Sequence, residues 1–209
     1  MKEKDELLQL FPTPALITKY ENTFEEEFKF IQNLRYIEQK ENGNFKSDDT
    51  YLLKHKELSK IKEFIFESLN KFTKNISHTK QRLVVTQCWT NRNPPGSKHH
   101  EHVHPNSILS GVFYFRQSKT LPPIQFSKAV QDSFKLNAEK YNILNSETFL
   151  LPMVDGELVL FPSSLRHSVP FNKGNDTRYS MSFNTFCIDE LGSRDSLTHL
   201  NIRELYGKS

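Results

Sequence analysis

The chain has 209 residues, 36% of them hydrophobic, and a net charge of +3. That length suits one β-rich domain with helical additions, and the apolar share is enough for a real core. So small a charge, from lysines spread along the chain instead of gathered in a block, gives no case for nucleic acid as a partner, and no apolar run approaches a membrane span.

The first residues, Met1-Lys-Glu-Lys-Asp-Glu6, are charged and no apolar region follows, so no signal peptide is read and a reducing cytoplasm is the expected home. Cys88 and Cys187 are expected as buried free thiols, since two cysteines make no disulfide framework. Phe11 to Thr18 predicts a leading strand that Pro12 and Pro14 keep at an edge. Asn22-Thr23 is read as the cap of a helix from Phe24 to about Gln39, with three glutamates in its first turn and Glu41-Asn-Gly-Asn44 as its end. A second helix is expected from Glu57 to Asn75, where Leu58, Ile61, Phe64, Ile65, Leu69 and Phe72 share one face. These elements, over residues 1–80, form a strand plus helical buttress, and residues 81–188 would be a β-barrel core.

Within that core, Val84 to Thr90 and Ser107 to Phe115 are rich in β-branched and aromatic residues and read as strands. Between them lies His99-His-Glu-His-Val-His104. In an extended chain, side chains two apart share a face, so His102 and His104 look inward together. From Arg116 to Leu151 the pattern weakens, with Pro122-Pro123, scattered Lys and Asn, and short apolar pieces such as Ile124-Gln-Phe126. Glu157 to Phe161 is an apolar run, and His167 falls in the turn after it. Thr177 to Phe186 alternates: Arg178, Ser180, Ser182 and Asn184 on one face, Tyr179, Met181 and Phe183 on the other. Residues 189–209 read as a loop with a short terminal helix.

Three neutral imidazoles can hold a divalent metal, and an arginine with a hydroxyl two residues on can hold a carboxylate. A polar stripe on an otherwise apolar strand needs partners, because burying such groups without them costs about 1–3 kcal/mol each. Short histidine tracts alone are often adventitious metal binders on a surface loop; the distant His167 and the Arg178/Ser180 pair favour a built site. His99 and His100 read as outer or solvent residues, and His55, His78 and His199 as surface histidines. Trp89 reads as core and rim packing.

At this point the sequence resembles the iron(II) and 2-oxoglutarate dependent oxygenases, in particular a bacterial and cyanophage branch. Phrases like Leu10-Phe-Pro-Thr-Pro14, His102-Val-His-Pro-Asn-Ser-Ile-Leu-Ser-Gly-Val-Phe-Tyr114, Gly156-Glu-Leu-Val-Leu-Phe-Pro-Ser-Ser-Leu-Arg-His167 and Arg178-Tyr-Ser-Met-Ser-Phe-Asn184 carry the resemblance over nearly the whole chain. It implies a mainly β fold, a double-stranded β-helix (a jelly-roll, cupin-like barrel) with N-terminal supporting helices, in one domain over residues 1–209. It implies that His102 and His167 bind iron(II), that Arg178 with Ser180 pairs with the far carboxylate of 2-oxoglutarate, and that dioxygen is the co-substrate. Tyr114 is then a candidate hydrogen-bond donor to 2-oxoglutarate. The substrate class stays open between a small molecule and a protein side chain.

One position departs from the wider superfamily, which has a carboxylate two residues after the first histidine. His104 stands there. Either three histidines hold the metal, or Glu101 enters in place of one; the odd spacing of Glu101 from His102 and His104 favours three histidines. Two other classes share parts of this pattern. Three histidines and a water also describe a catalytic zinc centre of a hydrolase or lyase, which would leave Arg178 and Ser180 without a task. A non-catalytic cupin-type barrel that only binds a metal or ligand is the other.

Overall fold

The computed structural model describes residues 6–128, 134 and 136–201. Its elements in chain order are β1 (Leu16–Lys19), α1 (Glu25–Gln32), β2 (Tyr36–Gln39), β3 (Asn44–Ser47), α2 (Ser59–Asn75), β4 (Leu83–Asn93), β5 (His99–His102), β6 (Leu109–Arg116), β7 (Ile124–Ser127), β8 (Thr148–Leu151), β9 (Glu157–Pro162), β10 (Arg166–Val169) and β11 (Arg178–Cys187), with two 3₁₀ turns before α2. The strands form two antiparallel sheets, of order β1-β9-β6-β11-β4-β3-β2 and β5-β10-β7-β8. This is the mainly β, double-stranded β-helix architecture with N-terminal helices that the sequence leads one to expect.

Strand alternation divides the apolar side chains between two cores. On the large sheet, Val112, Tyr114, Val159 and Phe161 turn into the barrel and meet Ile124 and Phe126 of the small sheet. Their neighbours Phe113, Phe115, Leu158, Leu160, Met181 and Phe183 turn outward, where Ile31 of α1 and Ile61, Phe64, Ile65, Leu69 and Phe72 of α2 cover them. Because both faces are buried, the strands read as nearly continuous apolar runs. Gly111 permits one close approach: a Cβ there would lie 2.2 Å from Cζ of Phe183. Cys88 and Cys187 are free and buried.

Several expected boundaries shift. The helix expected over 24–39 stops at Gln32, and Tyr36–Gln39 instead pairs with Asn44–Ser47 as a hairpin. Gly43 has φ +67°, so Asn42-Gly43 makes the hairpin turn that was read as a helix stop. Asn22 and Thr23 do not cap α1: Phe24 is its N-cap, without a side-chain hydrogen bond, although Glu25, Glu26 and Glu27 fill the first turn as expected. The leading strand begins at Leu16, not Phe11, whose φ of +57° is incompatible with an extended chain. His167 lies within β10, not in a turn, and the weakly patterned stretch supplies β7 and β8. The short terminal helix falls largely outside the described residues.

Candidate active site

The inner face of β11 and the small sheet enclose the chemistry. His102 ends β5, His167 sits opposite it on β10, and His104 follows two residues on, tied by its backbone N–H to the Ser163 carbonyl at 3.0 Å. The ring centroids are 4.3 Å apart for His102 and His167, 4.8 Å for His102 and His104, and 5.1 Å for His104 and His167. One nitrogen from each lies within 4.8 Å of the others, close enough to share a metal ion. His102 Nδ1 donates to the His100 carbonyl at 2.9 Å and His167 Nδ1 to the Leu165 carbonyl at 3.0 Å. Both rings therefore present a bare Nε2, as metal-bound histidines commonly do.

His104 is held by a side chain instead. Its Nδ1 lies 3.4 Å from the Asn184 amide, which also meets the Ser110 hydroxyl at 3.0 Å. Ser110 continues to Ser163 at 2.9 Å, Ser163 donates to Ser107 at 2.7 Å, and Ser107 donates to the Leu109 carbonyl at 3.1 Å. Asn184 Oδ1 accepts from the Ser110 hydroxyl and Asn184 Nδ2 faces His104 Nδ1, so the amide ties the serine chain to the histidine and holds its ring in place.

Burial lowers the pKa of His167 to about 3 and of His104 to about 4, and that of His102 also falls, so all three are unprotonated and able to donate lone pairs at neutral pH. Glu101 turns outward, where its carboxylate takes a hydrogen bond from Ser127 and faces Arg166 Nη1 at 3.6 Å. The structure therefore brings His102, His104 and His167 together and keeps Glu101 away from them.

Arg178 lies on the other wall of the same cavity. Only 2% of it is exposed. Nη1 donates to Ser180 Oγ at 3.0 Å and to Asn93 Oδ1 at 3.3 Å, and the guanidinium stands 5.0 Å from the centre of the Tyr114 ring. Among the described residues no carboxylate pairs with it. Arg178 Nε, the Tyr114 hydroxyl, Asn91 Oδ1 and Asn93 Nδ2 are buried without a partner. Burial raises the Tyr114 phenol while the guanidinium pulls it back, so it stays a proton donor. A buried cation with unused donors at its own Nε, the Tyr114 hydroxyl and Asn93 Nδ2 is a poor stabiliser of the empty fold and a good receptor for an anion. The cavity, about 30 Å³, is lined by the three histidines, Arg178, Ser180 and the apolar Val112, Ile124 and Val169. Larger hollows beside α1 and at the end of α2, about 490 and 450 Å³, contain no comparable histidine cluster.

His99 and Asn93 are placed here without having been singled out as site residues. His99 lines the cavity although its odd spacing from His102 predicts the opposite face. The register explains it: His102 pairs with His167 but His99 with Val169, three steps on β5 against two on β10, so a bulge turns His99 inward. Asn93, two residues beyond Asn91 on the inward face of β4, was legible by the same parity as Arg178.

The two facing antiparallel sheets define a class of fold, the double-stranded β-helix. Residues 87–184, the segment carrying all three histidines, Arg178 and Asn184, match the family described as "Putative 2OG-Fe(II) oxygenase". No curated protein matches it by sequence. Among solved structures it is similar to HygX from Streptomyces hygroscopicus with nickel, 2-oxoglutarate and hygromycin B bound (11% identity, 83% of this chain and 82% of that one, TM-score 0.61). It is also similar to a Pseudomonas putida prolyl-4-hydroxylase (13%, 82% and 92%, 0.54) and to the epimerase SnoN from nogalamycin biosynthesis (8%, 84% and 77%, 0.64). At such identities the likenesses establish the fold. No helix among the described residues is long and apolar enough to cross a membrane.

Proposed function

We propose that the chain is an iron(II)- and 2-oxoglutarate-dependent dioxygenase that hydroxylates a small molecule or a protein side chain. The observation that carries this reading is Arg178, buried without an acidic partner among the described residues and sharing one cavity with three histidines whose ring nitrogens converge. A structural arginine would have a carboxylate; a zinc hydrolase would have no use for this one.

The donor set fits the cofactors. His102, His104 and His167 would hold the metal as three neutral ligands, so its full charge is left for anionic co-ligands. Arg178, with Ser180 beside it, would take the far carboxylate of 2-oxoglutarate, and the unpartnered Tyr114 hydroxyl is positioned to donate alongside. Bound together, iron(II) and 2-oxoglutarate supply the oxidation: dioxygen is consumed, 2-oxoglutarate leaves as succinate and carbon dioxide, and one oxygen atom goes to the substrate. Val112, Ile124 and Val169 keep the walls apolar and limit water. Asn184 and the serine chain fix the orientation of His104 without adding charge. Hydroxylation is chosen over epimerisation as the plainest outcome; the fold is compatible with both, since SnoN is an epimerase.

The test is anaerobic titration of the iron(II)-loaded protein with 2-oxoglutarate, following the visible charge-transfer band of a chelated 2-oxo acid. A band that is lost in Arg178→Ala and in His167→Ala supports the assignment. No band, with zinc retained at the histidines, would return the chain to the hydrolytic or binding-barrel class.

A further inference from the structure

The β5 bulge does more than bring His99 into the cavity. It gathers His99, His100 and His102 so that one nitrogen of each lies within 4.8 Å of the others. Their ring centroids are 5.2 Å (His99 and His100), 4.8 Å (His99 and His102) and 5.2 Å (His100 and His102) apart. A regular strand cannot do this, because residues 99 and 100 would face opposite sides. His100 is exposed, His99 lines the cavity and His102 stands between them, so the cluster runs from solvent to the inner histidines. His100 Nδ1 is 3.0 Å from the Asn42 amide, contributed by the turn of the β2–β3 hairpin. The Asn42 Nδ2 faces this nitrogen and holds the His100 ring beside its two neighbours.

His102 is common to both triads. Its Nδ1 is committed to the His100 carbonyl, so only Nε2 is available, and one lone pair binds one ion. The two triads therefore cannot be filled at once through His102. An ion bound by the outer three can reach the inner three by keeping its bond to His102 while His99 and His100 are exchanged for His104 and His167.

We propose that His99, His100 and His102 form a second, outer site for a divalent transition metal, which captures the ion at the cavity mouth and passes it to His104 and His167. This rests on the inner triad being the resting metal centre. Imidazole donors suit first-row ions such as iron(II), cobalt(II) and nickel(II), so cobalt(II), whose visible absorption reports its ligands, is the probe.

The experiment uses the full-length metal-free protein mixed with cobalt(II) in a stopped-flow spectrometer. Wild type is expected to load in two phases, capture and then transfer. His100→Ala, at an exposed position, is expected to lose the first phase and load roughly ten-fold more slowly or worse, the scale on which a supporting group of a metal site matters. His167→Ala is expected to keep the first phase, lose the second and hold cobalt(II) more weakly, and adding His100→Ala to it should remove the remaining binding. Loading of His100→Ala at the wild-type rate, or a folded His167→Ala protein that binds no cobalt(II), would overturn the outer site. Failure of the inner centre has a separate signature: His167→Ala with unchanged cobalt(II) affinity, which would overturn the hand-off while leaving capture by the outer triad visible.

Discussion

Arg178→Met separates a binding arginine from a structural one, because the two roles predict different effects on the empty and the liganded protein. In the empty site the guanidinium has only neutral partners, Ser180 Oγ at 3.0 Å and Asn93 Oδ1 at 3.3 Å, and its Nε has none. Replacing a buried ion by an apolar side chain of similar volume is neutral or stabilising by about 1–4 kcal/mol, and the two acceptors left behind cost about 1–3 kcal/mol each, so the terms nearly cancel. The liganded protein is different. Two charge-assisted hydrogen bonds to a carboxylate, at about 1.5–3 kcal/mol each, amount to a loss of about 3–6 kcal/mol, or roughly 10²–10⁴ in Kd. The assay is thermal unfolding of the manganese(II)-loaded protein with and without 2-oxoglutarate. At a hundred times its Kd the ligand stabilises wild type by about 2.7 kcal/mol, a rise of about 5–11 °C for a chain of this size. At the same concentration the variant should rise by no more than about 2 °C while its unliganded Tm stays within a few degrees of wild type. A variant that loses several kcal/mol without ligand and keeps the full shift would refute the reasoning and move the dicarboxylate elsewhere.

Three further outcomes follow from particular contacts. His104→Ala and His167→Ala should lower metal affinity to a similar extent, whereas Asn184→Ala, which removes the shared partner of His104 Nδ1 and the Ser110 hydroxyl but no metal-facing nitrogen, should lower it about 10–100-fold; calorimetric titration with cobalt(II) ranks them, and an unaffected His104→Ala protein would end the three-histidine assignment. Gly111→Ala puts a methyl 2.2 Å from the Phe183 ring and should destabilise by about 1–3 kcal/mol or more, read as a fall in Tm with no specific effect on metal binding in the folded fraction. The folded-state pKa values of His104 and His167, about 4 and about 3, lie below the value near 6.5 of an unfolded histidine. Between these values the unfolded chain takes up protons that the fold refuses, so the metal-free protein should hold its stability above pH 6.5 and lose it progressively as pH falls toward 3. Denaturant melts at pH 7 and pH 5 with equal midpoints would contradict that.

The parts of the fold legible in the sequence are those where one rule acts alone. Thr177 to Phe186 alternates because both faces of β11 are specified, polar toward the cavity and apolar toward α1 and α2, so its register could be read directly. Glu57 to Asn75 shows a helical period because α2 covers the large sheet with one face. The β2–β3 hairpin was missed because Phe28, Ile31 and Leu34 keep helical spacing up to its edge, and Asn42-Gly43 serves equally as a helix stop and a hairpin turn. β7 and β8 were obscured because each is only four residues long, and most of β8 is exposed, so little burial is written into it.

The site divides in the same way. Parity along regular strands brought Arg178, Ser180 and Asn184 to one face and sent Glu101 away from His102. Parity failed at His99 because a bulge inserts a residue without changing composition, and nothing in His99-His-Glu-His marks where the strand loses register. What the sequence could show of function was a polar stripe with no evident partners, and the structure gives the reason for that signature. Arg178 Nε, Tyr114 Oη, Asn91 Oδ1 and Asn93 Nδ2 remain unmatched around one cavity, whereas the other unmatched atoms among the described residues are scattered over Tyr20, Asn44 and Gln117. A fold selected for stability alone would have replaced them with apolar groups of the same size. Their retention beside three converging imidazoles is explained if the missing partners arrive with the ligand, so that the stability withheld from the empty barrel reappears as affinity for a metal and an anion.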